Sequence, residues 1–133
     1  MRNYFKGDVF FADCGTITEE DCVQKGWRPV VVVSNNIGNL SDIVIVAPVT
    51  RKERDYMPTH MHIEILHKNG RELATPVIGT ILCEQLRVLD KRQIKSLKGH
   101  LDSNSMQLLD NKLAVALGIP FGEGVRYCGL PNS

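Results

Sequence analysis

The chain has 133 residues, 43% of them hydrophobic and 23% charged, with a formal net charge of +1. That size and balance fit one globular domain with a sizeable core, and the near-zero charge means that an anionic partner must be gripped by a local patch. No apolar run approaches the roughly 20 residues needed to span a bilayer, and Met1 to Lys6 carry no signal-peptide core, so the protein is expected in the cytoplasm with no membrane partner.

The segment Gly7 to Asp13, GDVFFAD, is a β-branched and aromatic run behind a glycine and predicts a first strand. Cys14 to Gly26 is polar, acidic and aperiodic, a long loop of the kind that often carries function. Pro29 to Ser34 predicts a second strand. Its consecutive valines read as buried on both faces, and proline is tolerated at a strand's first position. Asn35 to Asn39 is turn chemistry. Ile43 to Val49 predicts a third strand, with Pro48 pointing to an edge or a bulge, and Thr50 to Asp55 a charged connection. His60 to Leu66 predicts a fourth strand, with His60, His62 and Glu64 on one side and Met61, Ile63 and Ile65 on the other. Val77 to Leu89 reads as two short strands or one bent strand, kinked near Gly79.

From Asp90 the period becomes helical. Ile94, Leu97 and Leu101 recur at helix spacing, with Asp90 as N-cap. A second helix is expected from about Ser103 to Leu117, with an apolar stripe of Met106, Leu109, Leu113, Ala116 and Leu117 and with Gly118 just past its end. Residues 1–119 then form a single domain, and the aperiodic residues 120–133 a flexible tail. Strands followed by helices give an α+β chain: a small antiparallel barrel or strongly bent sheet covered by helices at one end.

The sequence contains no P-loop, GxGxxG, HExxH or GxSxG motif. The four cysteines, Cys14, Cys22, Cys83 and Cys128, include no CxxC pair, so reduced, packing cysteines are expected rather than zinc ligands or disulfides. Two constellations remain. His60 and His62, with Glu64 on the same strand face, could share a metal, or could simply form the solvated face of a half-buried strand. His67 lies too far along to serve as a third ligand, and His100 stands alone. Arg28 and Thr50 each sit at a strand terminus, where a rigid scaffold hands side chains to a surface cleft. Arginine is planar, permanently charged and bidentate toward phosphate, and a threonine hydroxyl can donate to a phosphoryl oxygen. Such a pair suits a phosphorane whose charge develops on non-bridging oxygens. A structural ion pair is the other reading of Arg28.

In order along the chain, GDVFFAD at 7–13, RPVVVVSNNIGN at 28–39, VIVAPVT at 44–50, PTHMHIE at 58–64, ILCEQLRVLDK at 81–91 and ALGI at 116–119 resemble the MazF/PemK family of toxin endoribonucleases. The resemblance implies an SH3-like, strongly curved antiparallel β-barrel (the MazF/CcdB-type toxin fold) with C-terminal helices, working as a homodimer. It implies the toxin of a type II toxin–antitoxin system, which cuts single-stranded RNA at short motifs without a metal or other cofactor. Cleavage would leave 2′,3′-cyclic phosphate and 5′-hydroxyl ends, and a cognate antitoxin with an acidic tail would block the RNA groove. Carried over residue by residue, Arg28 and Thr50 match the catalytic pair and Gln85 a residue lining the RNA. Asn36 falls in the turn after the second strand, where it could also contact RNA. The nearby positives Arg51, Lys52, Arg54 and Arg87 would hold phosphates, and Trp27 would stack a base. One departure stands out: many relatives carry a glutamate about five residues before the arginine, where this chain has Val23. A toxin of the same fold that binds and poisons a topoisomerase, cutting nothing, is the rival expectation, since fold alone does not fix function.

Overall fold

The computed structural model describes residues 3–15, 26–36, 41–51 and 57–120. Of the expected loop Cys14 to Gly26, residues 16–25, with Glu20, Asp21, Val23 and Gln24, lie outside the described residues, as do residues 121–133 of the expected tail 120–133.

Within them run β1 (Asp8–Asp13), β2 (Trp27–Val32), β3 (Ile43–Thr50), β4 (His60–Lys68), β5 (Arg71–Leu82), β6 (Arg87–Asp90), β7 (Ile94–His100) and α1 (Ser103–Leu117). All pairings are antiparallel. The hydrogen-bonded order is β4-β5-β3-β2-β1-β7, with β6 also on β3. No ladder closes β4 onto β7, so the sheet is strongly curled rather than the closed barrel expected. The two ends still meet through side chains. Lys68 Nζ donates to the Leu97 carbonyl at 3.0 Å, and a Cβ on Gly99 would lie 2.9 Å from Ile65 Cγ2.

Strand alternation splits the interior in two. Val9, Val31, Ala47, Val49, Met61, Ile63, Ile65, Val77 and Ile81 face one core, which α1 covers with Leu109. Phe10, Ala12, Val30, Val32, Val44, Val46, Leu89 and Ile94 face the other. The consecutive valines of β2 are thus buried alternately into both cores, as their lack of period predicts. In β4 the alternation is clean, with Met61, Ile63 and Ile65 buried and His62, Glu64 and Leu66 exposed.

Three expectations need correction. First, Asp90 does cap, accepting from the Arg92 backbone N–H, but the turn it starts is the three-residue 3-10 stretch Lys91–Gln93. The expected helix beyond it is β7. Without β7 the outer edge of β1 would be an unpaired row of backbone groups. Ile94 pairs with Ala12 and Leu97 with Phe10, across register shifts that break the two-residue period. The domain therefore has one C-terminal helix among the described residues, not several. Second, Pro48 lies on an interior strand. It falls where β3 has left β6, last paired at Val46, and not yet met β5, first paired at Val49, so no ladder donor is demanded of it. Third, the 77–89 segment breaks at 83–86 rather than near Gly79, and β5 begins earlier, at Arg71. Asn69 (φ 54°) and Gly70 (φ 77°) form the tight turn that joins β4 to β5, a pairing of residues suited to left-handed backbone.

The second helix matches its expected bounds, but Leu117 of the expected stripe is exposed and Ala114 is buried instead. Asp102 accepts from the Ser105 backbone N–H at 2.8 Å, Leu109 is fully buried, and Gly118 closes the helix at φ 69°.

Candidate functional site

Arg28 is the second residue of β2. Just before it, Gly26 is tied to residues 14 and 15 by two backbone bonds, Cys14 N–H to Gly26 O and Gly26 N–H to Gly15 O, each 2.8 Å. On β1 the partner of Arg28 is Ala12, a side chain small enough to leave the guanidinium room. On β3, the ladder with β2 ends at Val30–Pro48; the same register extended two residues beyond that end would set Arg28 level with Thr50. Directly opposed residues of an antiparallel pair share a face. Thr50 in turn pairs with Thr80, and Thr80 with His62. Thr50, Thr80 and His62 therefore form one row across three strands, and Arg28 joins it by extension of the β2–β3 register. Thr50 is buried and Arg28 half-buried. Thr80 and His62 join the row only through strand pairing, a long-range relation with no local signal. His62 lies two strand spacings, about 10 Å, from Thr50, so it lines the floor rather than the Arg28–Thr50 centre.

Arg87 belongs to this face as well. It pairs with Val46, whose side chain lies in the same core as that of Val30. Burial pushes the Cys14 thiol pKa up, while Arg87 and Arg28 both pull it down. Two guanidinium groups thus converge on one buried neighbour, and their joint field is suited to a polyanion. Arg28 thus lies in a neighbourhood that includes a second arginine.

Gln85 sits in the 83–86 turn that carries the chain from β5 to β6. Its backbone N–H bonds Leu82 O at 3.0 Å, and Cys83 N–H bonds Thr59 O at 3.1 Å. The neighbouring Glu84 ties the turn to β4, accepting from Thr59 Oγ1 and bonding His60 Nε2, both at 2.9 Å. Burial raises the Glu84 pKa, but the hydrogen bonds from His60, its own backbone N–H and Thr59 outweigh that and leave it lowered. A depressed carboxyl contributes stability that is complete above its ordinary value of 4.5 and is lost as pH falls through the lower folded value. Glu84→Gln is therefore expected to weaken the protein at neutral pH and to flatten the acid limb of its stability curve. Urea titrations from pH 7 down to about pH 3 check this, and an unchanged acid limb would remove the assignment.

The other sequence candidates lie elsewhere. Trp27 precedes Arg28 but points to the opposite face. It is 53% exposed rather than packed in the core and stacks on Phe11 at 5.7 Å. Arg51 lines a cleft on that same far side. Asn36 lies beyond the other end of β2, where Oδ1 accepts from the Lys6 backbone N–H at 3.0 Å. Lys52 and Arg54 lie outside the described residues. His60 and His62 do not converge on a metal, since His60 is engaged by Glu84 and His62 lies 3.5 Å from Glu64. Among the described residues no group of three His, Cys, Asp or Glu side chains could hold an ion. Cys14 and Cys83 are buried free thiols, and burial, reinforced by Glu84, pushes Cys83 up to about 12. Cys22 and Cys128 lie outside the described residues.

A curled antiparallel sheet with, among the described residues, one C-terminal helix is the fold of the MazF-like toxins. The chain superimposes on an endoribonuclease in complex with its cognate antitoxin from mycobacterial species, with a TM-score of 0.69 and 23% identity, covering 90% of this chain and 99% of that one. It also superimposes on MazF from Deinococcus radiodurans, with a TM-score of 0.67 and 21% identity, covering 90% and 100%. At those identities the likeness speaks for the fold. In sequence, the endoribonuclease EndoA of Bacillus subtilis (strain 168) is 35% identical over 116 residues, covering 86% of this chain and 94% of the relative. Residues 5–117 match the family model of the PemK-like, MazF-like toxins of type II toxin–antitoxin systems, and the chain belongs to that family.

Proposed function

We propose that this chain, an endoribonuclease by its family, cuts single-stranded RNA at a short sequence motif without a metal ion. The substrate's own 2′-hydroxyl attacks the adjacent phosphorus and releases its proton to water, the 5′-oxygen leaves with a proton from Arg28 that water restores, and the products carry 2′,3′-cyclic phosphate and 5′-hydroxyl ends. No covalent nucleophile is required of the protein. It has to align the attacking and leaving oxygens and neutralise a dianionic phosphorane. DNA, lacking the 2′-hydroxyl, would bind without being cut. The observation that carries this reading is the alignment of Arg28 with Thr50 at the open end of a buried core, with Arg87 on the same face.

Arg28 stabilises the phosphorane and is placed to donate a proton to the leaving oxygen. Its guanidinium, with a pKa above roughly 12, is a poor base. Thr50 donates to a non-bridging oxygen. Gln85 and Arg87 hold the flanking nucleotides on the same face, and Asn36, Lys52 and Arg54 extend the contacts along the strand. Trp27 and Arg51 face away from the reacting phosphate and reach RNA only where it passes over the rim. We assign the activity to residues 1–119 as one domain with an appended tail at 120–133, acting as a cytoplasmic homodimer restrained by a cognate antitoxin.

The test is a long RNA of defined sequence incubated with the protein in EDTA, followed by sequencing of the fragment ends. Cuts at one recurring motif with 5′-hydroxyl ends are expected. Intact RNA, together with inhibition of a topoisomerase, would favour the non-nucleolytic toxin instead.

A further inference from the structure

The curled sheet has an open seam where β4 and β7 meet without a ladder, and a cavity in that seam takes no part in the reaction proposed above. It holds about 290 Å³ and is lined by His67, Lys68, Asn69, Leu97, Gly99 and His100. Both walls are irregular there. On β7, Lys98 is skipped between the pairs Phe10–Leu97 and Val9–Gly99. On β4, Leu66 is skipped between Ile65–Val77 and His67–Glu72. Bulges of this kind re-aim side chains out of the regular alternation, and here polar ones from both strands line one space. Gly99 fixes the width of the seam, since a Cβ there would lie 2.9 Å from Ile65 Cγ2. Lys68 Nζ is anchored on the wall by donating to the Leu97 carbonyl at 3.0 Å. His100 Nδ1 lies 3.9 Å from Asp8 Oδ1, which engages that nitrogen and leaves Nε2 for another partner. An ammonium, two imidazoles and a carboxamide thus line a cavity that no acidic side chain among the described residues lines. Glu72 stands opposite His67 in the ladder, outside the lining. With no group of three His, Cys, Asp or Glu among the described residues able to hold a metal, this donor set suits an anion.

We propose that the seam cavity binds a phosphate dianion, either as the inorganic ion or as the monoester end of a small molecule. The Lys68 ammonium supplies a positioned charge, and the imidazoles and the Asn69 amide supply directed donors. Leu97 offers an apolar wall to an organic stem. A phosphodiester fits less well, because it carries less charge than a monoester and is flanked by sugars on both sides. Bound there, the dianion spans β4 and β7 and bridges the seam that the ladder leaves open. A ligand that binds only the folded chain stabilises it by mass action, so phosphate should raise the urea midpoint as well as occupy the cavity. None of this depends on the chemistry assigned to Arg28 and Thr50.

The chain has four histidines, so the ring resonances of His67 and His100 report on the cavity while that of His62 reports on the row that carries Thr50. The full chain is titrated with inorganic phosphate at fixed pH and ionic strength, and the histidine Cε1–H resonances are followed by NMR. Saturable shifts of His67 and His100 at millimolar phosphate are expected, with His60 and His62 unmoved and the urea midpoint raised. Tighter binding of glycerol 3-phosphate than of the inorganic ion would identify the monoester as the occupant, and the reverse order the ion itself. His67→Gln, read through His100, and Lys68→Gln, read through both rings, should each raise Kd roughly two- to fivefold, the loss of one screened charge contact. Both positions lie outside the two cores, and an unmoved His60 resonance confirms that each variant is folded. No saturable shift with millimolar phosphate, an equal response to chloride, or an unaltered Kd in both variants overturns the proposal. So does a response confined to His62, which would place the anion on the Thr50 row. Displacement of phosphate from His67 and His100 by an uncleavable 2′-O-methyl RNA decamer also overturns it, by making the cavity an RNA subsite. Failure of RNA cleavage in the EDTA assay would overturn the proposed reaction and leave this result standing.

Discussion

Arg28→Ala is expected to lower RNA cleavage by at least about 10²–10³-fold, the usual cost of removing one donor aimed at developing transition-state charge. The effect should reside in the chemical step. Arg28 lies at the mouth of β2 beside Ala12 and is half-buried, so its loss opens no cavity in either core. The variant should unfold in urea near the wild-type midpoint. Arg28→Lys should recover little, because an ammonium keeps the charge but not the planar fork that spans two phosphoryl oxygens. Single-turnover cleavage of an RNA containing the recurring motif measures this. A fully active Arg28→Ala protein would sink the assignment and return Arg28 to a structural role.

Gly79→Ala should act on the same site from the opposite direction. A Cβ at Gly79 would stand 2.3 Å from the Thr50 carbonyl oxygen and 3.0 Å from Val49 Cγ1. The first of these is backbone, with no flexible side chain to swing aside. β5 must therefore move away from β3 where Val49 and Thr50 pair with Ile81 and Thr80, taking Thr50 out of line with Arg28. Overpacking of this kind costs about 1–3 kcal/mol of stability, and a 1 Å misplacement of a catalytic group can cost about 10²-fold in rate. Both are readable, from a urea midpoint and from cleavage per folded molecule at low temperature. Wild-type cleavage per folded molecule would show that Thr50's position is immaterial. The glycine tests the geometry of the row, whereas Arg28 tests its charge.

Much of the architecture was legible locally. β1, β3 and β4 follow from β-branched runs and clean alternation, and α1 from an apolar stripe closed by Gly118. β7 was not, because its register shifts against β1 erase the two-residue period, leaving Ile94, Leu97 and Leu101 at a spacing that mimics a helix. The early start of β5 had a usable signal in Asn69-Gly70, whose positive φ angles make the tight turn. Arg28 and Thr50 stood out by strand-end position and phosphate chemistry, whereas Gln85 was recognisable only as part of an ordered family segment. That Trp27 faces away from Arg28 follows from alternation once β2 is known to begin at Trp27, but the strand expected from Pro29 left both residues outside it.

By itself the sequence determined the strand-forming runs, the closing helix, the family and the identity of the arginine and threonine to examine. These depend on neighbours within a few residues, or on motifs kept in order. Only the tertiary structure decided that Arg28, Thr50, Thr80 and His62 share one row, and that Arg87 joins their face. It also decided that a donor-lined cavity opens in the seam between β4 and β7. Those relations come from pairing between strands far apart in the chain. A register shift of one residue would turn each side chain to the other face, and the packing of two cores against one curled sheet is what holds the register.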